Sequence, residues 1–168
     1  GDPPGYSIEL VNPALDNDLG GSWRRSAPEE VGSQPTILVP SRADWKYLKG
    51  TSEASTPVSA WRAPDFDDAR WLSGGAPIGY GENFLVTRLA DMQGGYTSAF
   101  LRKKFQVADP AQVGSLVLEA LFDDGFNVWI NGVHVLRQNL SANEMPYSGL
   151  ASLKTETGDY EAFNLPAP

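Results

Sequence analysis

Apolar and polar positions alternate most cleanly between Leu116 and Asn139. Leu116, Leu118, Ala120 and Phe122 share one side of an extended chain, and Asp123-Asp124-Gly125 then supplies turn chemistry. Phe126, Val128 and Ile130 alternate with Asn127 and Trp129, and Val133 and Val135 resume the pattern beyond Asn131-Gly132. Asn-Gly tolerates positive φ at both positions and is a strong hairpin signal. The segment therefore predicts strand, turn, strand, turn, strand in an antiparallel sheet. Ser98 to Val107 is the longest further strand candidate, with Leu101, Phe105 and Val107 on one side and Phe100, Arg102 and Lys104 on the other. Shorter strands are predicted at Ser7–Val11, Ile37–Val39, Trp45–Leu48 and Tyr160–Leu165. One helical turn is expected between Trp61 and Trp71, capped by Asp65 or Asp67.

Loops are expected between these elements: 48–59, the glycine-rich 74–83, the polar 86–97, and 140–158. Residues 1–36 read as an N-terminal strand and linker, with a boundary near Pro35; residues 37–168 read as the main domain. Many short strands with long polar loops predict an all-β sandwich or jelly roll.

The chain has 168 residues, 41% of them hydrophobic, enough for one domain with a real core. Lys and Arg total 13 against 21 Asp and Glu, a formal charge of −8. That balance disfavours nucleic acid and anionic membranes, both of which are held by basic groups. It suits neutral sugars, metal ions or protein partners. The absence of cysteine excludes a disulfide framework, a thiol nucleophile and thiolate-bound zinc. No stretch reaches the ~18 apolar residues of a membrane span. The opening GDPPGYS is expected of a mature or excised piece.

Five pieces then occur in order: W-K-Y-L from Trp45, W-R-A-P-D-F-D-D-A-R-W from Trp61, G-A-P-I-G-Y-G from Gly75, F-L-R-K-K-F from Phe100, and L-F-D-D-G-F-N-V-W-I-N-G from Leu121. Together, over residues 37–165, they resemble the galactose-binding-domain-like jelly-roll modules of large secreted bacterial proteins. These include carbohydrate-binding modules and the sugar-binding domains that precede some glycoside hydrolase barrels. The run S-I-E-L-V-N-P-A-L-D-N-D-L-G-G-S-W from Ser7 resembles a segment that precedes such modules in bacterial surface proteins with lamin-tail-like domains. The resemblance implies an antiparallel jelly-roll β-sandwich and non-catalytic carbohydrate binding. It also implies an extracellular, cell-surface or periplasmic home, and a structural calcium ion. The family pattern continues with a Gly-Asn turn and two more strands, where this chain has F-N-L-P-A-P. The expectation is a sheet lacking its last strands, with its edge completed by a partner segment or by strand swapping, because open edges invite pairing.

Sugar sites stack ring faces on Trp and Tyr and bond hydroxyls through Asn, Asp, Arg and Gln. Loop aromatics are the better candidates, because loops carry function. The predicted ligand-binding residues are Tyr80, Asn83, Phe84 and Tyr96, with Trp129 and Arg102 behind them. Trp71 reads as a core plug; Trp129 faces away from Val128 and Ile130, towards either the core or an open platform. Asp65, Asp67 and Asp68 are the expected calcium ligands, weighed against a plain role in capping turns. His134 is the sole histidine and reads as a half-buried strand residue, with no G-x-S-x-G elbow to form a triad. Arg102 and Lys104 read as a wet sheet face or the rim of a groove. No enzymatic site is expected. The alternatives to carbohydrate binding are a structural or assembly subunit, or spacer, in a larger extracellular or membrane-associated complex, and an ancillary domain packed on a polysaccharide-degrading enzyme.

Overall fold

The computed structural model describes residues 8–10, 23–25, 35–153 and 158–166. The chain forms two compact units, Gly1–Thr36 and Ile37–Pro168. In the first, β1 (Ile8–Leu10) pairs antiparallel with β2 (Trp23–Arg25), in the register Ile8↔Arg25 and Leu10↔Trp23. β1 lies inside the strand predicted over Ser7–Val11; β2 lies in a stretch whose turn formers gave no strand signal. The remaining expectations on residues 1–34 fall outside the described residues.

The second unit is built from strands and short 3-10 turns, with no α-helix among the described residues. Its central sheet has three strands: β4 (Leu72–Gly75), β3 (Asp44–Lys49) and β7 (Ala99–Arg102), all antiparallel. Ile37–Val39 is not a strand. Pro40 follows it and has no N–H to give a ladder, and Ile37 stands 75% exposed. The glycine-rich stretch is not one loop. It contributes β4 and then β5 (Ile78–Gly79), which pairs in parallel with β6 (Thr87–Arg88) from the supposed polar loop. Thr87 Oγ1 donates to the Gly75 carbonyl at 2.8 Å, tying this pair to β4. Alternation alone could not show these strands, because glycine carries no side chain to mark a face.

The predicted strand over Ser98–Val107 pairs only as far as Arg102. Lys46 stands opposite Arg102 and β3 begins at Asp44, so the ladder runs out two residues further on. The helical turn is a 3-10 turn at Ala60–Arg62, earlier than Asp65 and Asp67.

In the Leu116–Asn139 segment all three strands form, as β8 (Leu116–Ala120), β9 (Phe126–Ile130) and β10 (Val133–Gln138). β9 and β10 make the hairpin, with Asn131 at φ 50° and Gly132 at φ 83° in the turn between them. The left-handed backbone at both positions is what Asn-Gly accommodates. Val135 bulges out of the ladder between His134↔Trp129 and Leu136↔Val128. β8, however, does not pair with β9. Its partner is β11 (Glu161–Leu165), from Leu116↔Leu165 to Ala120↔Glu161. Asp123-Asp124-Gly125 carries the chain from one pair to the other. Gly125 is needed there for a close approach: a Cβ would stand 2.8 Å from the Gln138 carbonyl oxygen and 2.9 Å from that of Asn139.

Aromatic side chains form two clusters. Phe122 meets Phe126 edge to face at 4.7 Å, and Phe163 packs against both at about 6 Å, joining β11 to β9. Trp61 gathers Trp71, Phe100 and Trp129 at 6.0, 5.4 and 5.7 Å. Trp61, Trp71, Tyr47 and Leu89 are the buried large apolar residues among the described ones. Rings at such distances contribute ~0.5–1.5 kcal/mol per pair beyond area burial.

Candidate functional site

Strand alternation puts Phe100 and Arg102 on one face of β7 and turns Leu101 to the other, where it is 40% exposed. That first face is not wet. The Arg102 side chain is 9% exposed, and its Nε donates to Asp68 Oδ2 at 2.9 Å. Its Nη1 donates to the Trp61 carbonyl and its Nη2 to the Ala63 carbonyl at 3.1 Å. The guanidinium thus clamps the chain between Trp61 and Asp68 onto the central sheet, and also lies 5.3 Å from the Phe66 ring. Planar, forked and permanently charged, it reaches three separate acceptors from fixed directions, where a lysine would present one compact ammonium.

Arg62 plays a similar part beside it. Its guanidinium stacks on Trp129, 3.9 Å from the ring centroid, and grips both oxygens of Glu144. His134, opposite Trp129 in the ladder, meets that ring at 5.5 Å and shares a 3.0 Å hydrogen bond with Asn127 Oδ1. Trp129 therefore has a cation on one ring face and Trp61 and His134 around it, a packed position and not an open platform. A cavity of about 110 Å³ remains beside this cluster, lined by Glu53, Val58, Trp61, Arg62, Phe100 and Met145 among others.

Two of the three predicted acidic ligands, Asp67 and Asp68, are engaged with protein. Asp68 holds Arg102, and Asp67 Oδ1 accepts from the Ala69 backbone N–H at 3.0 Å, the turn-capping role. Among the described residues no three His, Asp or Glu side chains gather at a spacing to share a metal ion.

The loop aromatics divide. Tyr96 donates its hydroxyl to Asp91 Oδ1 at 3.1 Å, while Lys49 reaches Asp91 Oδ2 at 2.7 Å. Burial and the bond to the Asp91 carboxylate push the Tyr96 phenol up to about 12. The bond from Lys49 holds the Asp91 carboxyl below its ordinary value, with the Tyr96 bond adding to it. Tyr96 is thus tied down, and the Lys49–Asp91 pair fastens its loop to β3.

Tyr80 is different. It is 44% exposed, in the loop after β5, and lines an open cleft of about 200 Å³ with Gly81, Arg88, Ala90 and Gln93. β6 carries Arg88 to the cleft, and its Nη2 donates to the Asn83 carbonyl at 3.1 Å. Asn83 thus reaches the cleft only through its backbone carbonyl on Arg88 and does not line it. Phe84, 38% exposed, follows in the same loop without lining the cleft. Arg88 and Gln93 drew no attention in the sequence, since each stands in a polar run that pattern reading treats as loop.

The chain was compared with known families, curated proteins and solved structures. It matches none of them. Among the described residues no helix is long and apolar enough to cross a membrane.

Proposed function

We propose that this chain is a non-catalytic carbohydrate-binding module of a secreted or cell-surface bacterial protein, folded as a galactose-binding-domain-like jelly-roll sandwich. The observation that carries the reading is the Tyr80 cleft. It offers an exposed aromatic ring for stacking, a guanidinium and an amide for hydroxyls, and a volume below the ~300–1,000 Å³ of drug-sized pockets. That suits a single sugar ring of a longer chain. Binding needs no covalent step: the ring face stacks on Tyr80 while Arg88 and Gln93 bond the periphery.

Affinity electrophoresis through gels cast with neutral and acidic polysaccharides tests it. The intact chain is retarded by at least one polymer, and Tyr80→Ala migrates as in a polymer-free gel while unfolding at an unchanged denaturant midpoint. Unchanged retardation of Tyr80→Ala removes the site.

A second reading has an observation of its own. Leu72 and Leu101 flank Tyr47 on one face of the central sheet and are 48% and 40% exposed. Exposed apolar side chains grouped on a sheet face mark contact surfaces. In this reading the chain is an assembly subunit or spacer. Sedimentation of the isolated chain as a strict monomer at all concentrations argues against self-association through that face.

A further inference from the structure

The arginines of the second unit are not treated alike: Arg62 and Arg102 end on carboxylates, whereas Arg88 and Arg137 bond neutral oxygens, and of these two it is Arg88 that lines the Tyr80 cleft. Arg62 has Glu144 and Arg102 has Asp68. Arg88 has no carboxylate within ion-pair distance among the described residues; its one bond goes to a neutral carbonyl, that of Asn83. That bond occupies one N–H of Nη2 and fixes the side chain at the cleft. The guanidinium keeps four of its five N–H donors for other acceptors. The chain as a whole carries −8, so carboxylates abound, yet none is set against this cation. A neutral sugar can be bonded by amides and hydroxyls alone. A fixed, unpaired guanidinium beside a stacking ring calls for an anion of matching geometry, and its forked edge matches a planar carboxylate in two parallel bonds.

We infer that the cleft takes an acidic sugar, a uronate residue of a polysaccharide, with its carboxylate on the free edge of Arg88 and its ring face on Tyr80. The inference rests on the carbohydrate-binding reading and narrows its ligand class. The net charge sharpens it. A protein at −8 repels a polyanion at long range, so retention on one needs a local site and cannot come from a diffuse basic surface. Added salt screens that repulsion over a Debye length of ~8 Å at physiological strength.

The test is affinity electrophoresis on polygalacturonate, alginate and hyaluronate, each beside its methyl ester, with neutral galactomannan and dextran sulfate alongside. Esterification removes the charge and keeps the backbone. The expected result is retention on at least one polyuronate, about ten- to hundredfold weaker on its ester, the range for hydrogen bonds to a charged group. Arg88→Gln shows the same loss on the acid and no further loss on the ester, and Arg88→Lys falls between because it keeps charge without the fork. Equal retention on acid and ester, no effect of Arg88→Gln, or retention on galactomannan alone overturns the acidic-sugar inference and leaves carbohydrate binding standing. Retention on dextran sulfate with none on any polyuronate overturns the carboxylate assignment. Retention on no polymer overturns both.

Discussion

The Trp61–Trp129 cluster and the Tyr80 cleft are made from the same residue types, and they behave as opposites. Each has an aromatic ring and an arginine. In the cluster, Arg62 covers a ring face and ends on Glu144, while Arg102 ends on Asp68 and two carbonyls. In the cleft, Arg88 stops at a carbonyl and the Tyr80 ring stays 44% exposed. Arg62 and Arg102 are enclosed and ion-paired, whereas Arg88 is exposed and has no carboxylate at ion-pair distance among the described residues. The contrast gives the first region a part in holding the fold and leaves the second as the site where the proposed ligand would bind.

The sharpest way to break that contrast is Arg102→Ala. It leaves Asp68, 17% exposed, without its cation and strips two carbonyls of a donor. Loss of one partner from a buried pair costs ~3–5 kcal/mol. Urea unfolding reads this as a lower midpoint at unchanged slope, and a loss below ~1 kcal/mol would move Arg102 back among the ligand candidates.

A smaller effect is expected at Arg62. Glu144 is 54% exposed, so solvent screens the pair, and Glu144→Gln costs at most ~1 kcal/mol. Arg62→Ala also loses the stacking on Trp129, a further ~0.5–1 kcal/mol. Near-UV circular dichroism should change more for Arg62→Ala than for Glu144→Gln, because only the first uncovers the tryptophan face.

How much of this was legible beforehand varies with the kind of signal. Asn131-Gly132 announced its hairpin because the turn chemistry is local and both residues adopt positive φ. The placing of Phe100 and Arg102 on one face followed from period-two alternation. Which side was wet did not follow, because an arginine reads as solvated until its acceptors are known. β4 and β5 were hidden in glycines. Tyr80 stood out as a loop aromatic, but Tyr96 looked equivalent, and only Asp91 separates them. Arg88 could not be singled out, since having a carbonyl and no carboxylate beside it among the described residues is a property of three-dimensional surroundings.

The Tyr80–Tyr96 difference yields the smallest effect. With its folded value raised to about 12, Tyr96 favours its neutral form in the native state. Its contribution to stability is present below the ordinary tyrosine value of ~10 and is lost as pH rises through the folded one. Asp91 runs the other way: depressed when folded, its contribution holds above its unfolded value and fades as pH falls through the folded one. Spectrophotometric titration of Asp91→Asn should show one phenol ionising at lower pH than in the parent chain. An unchanged titration curve would break the link between the two residues.

One pairing has a meaning beyond architecture. β9 and β10 are joined by two residues, Asn131 and Gly132, whereas Leu116 meets Leu165 only after the whole hairpin and the loop beyond it have been gathered between them. Closing a long loop costs chain entropy before any contact repays it. Hairpins form in ~1–10 μs, while pairings so distant in sequence slow folding as a whole. The Phe122–Phe126–Phe163 contacts bridge those two regimes, since they set a residue of the distant strand against one of the local hairpin. Local and distant pairing thus meet at one ring: Phe126 of the hairpin is the surface against which Phe163 of the sequence-distant strand packs.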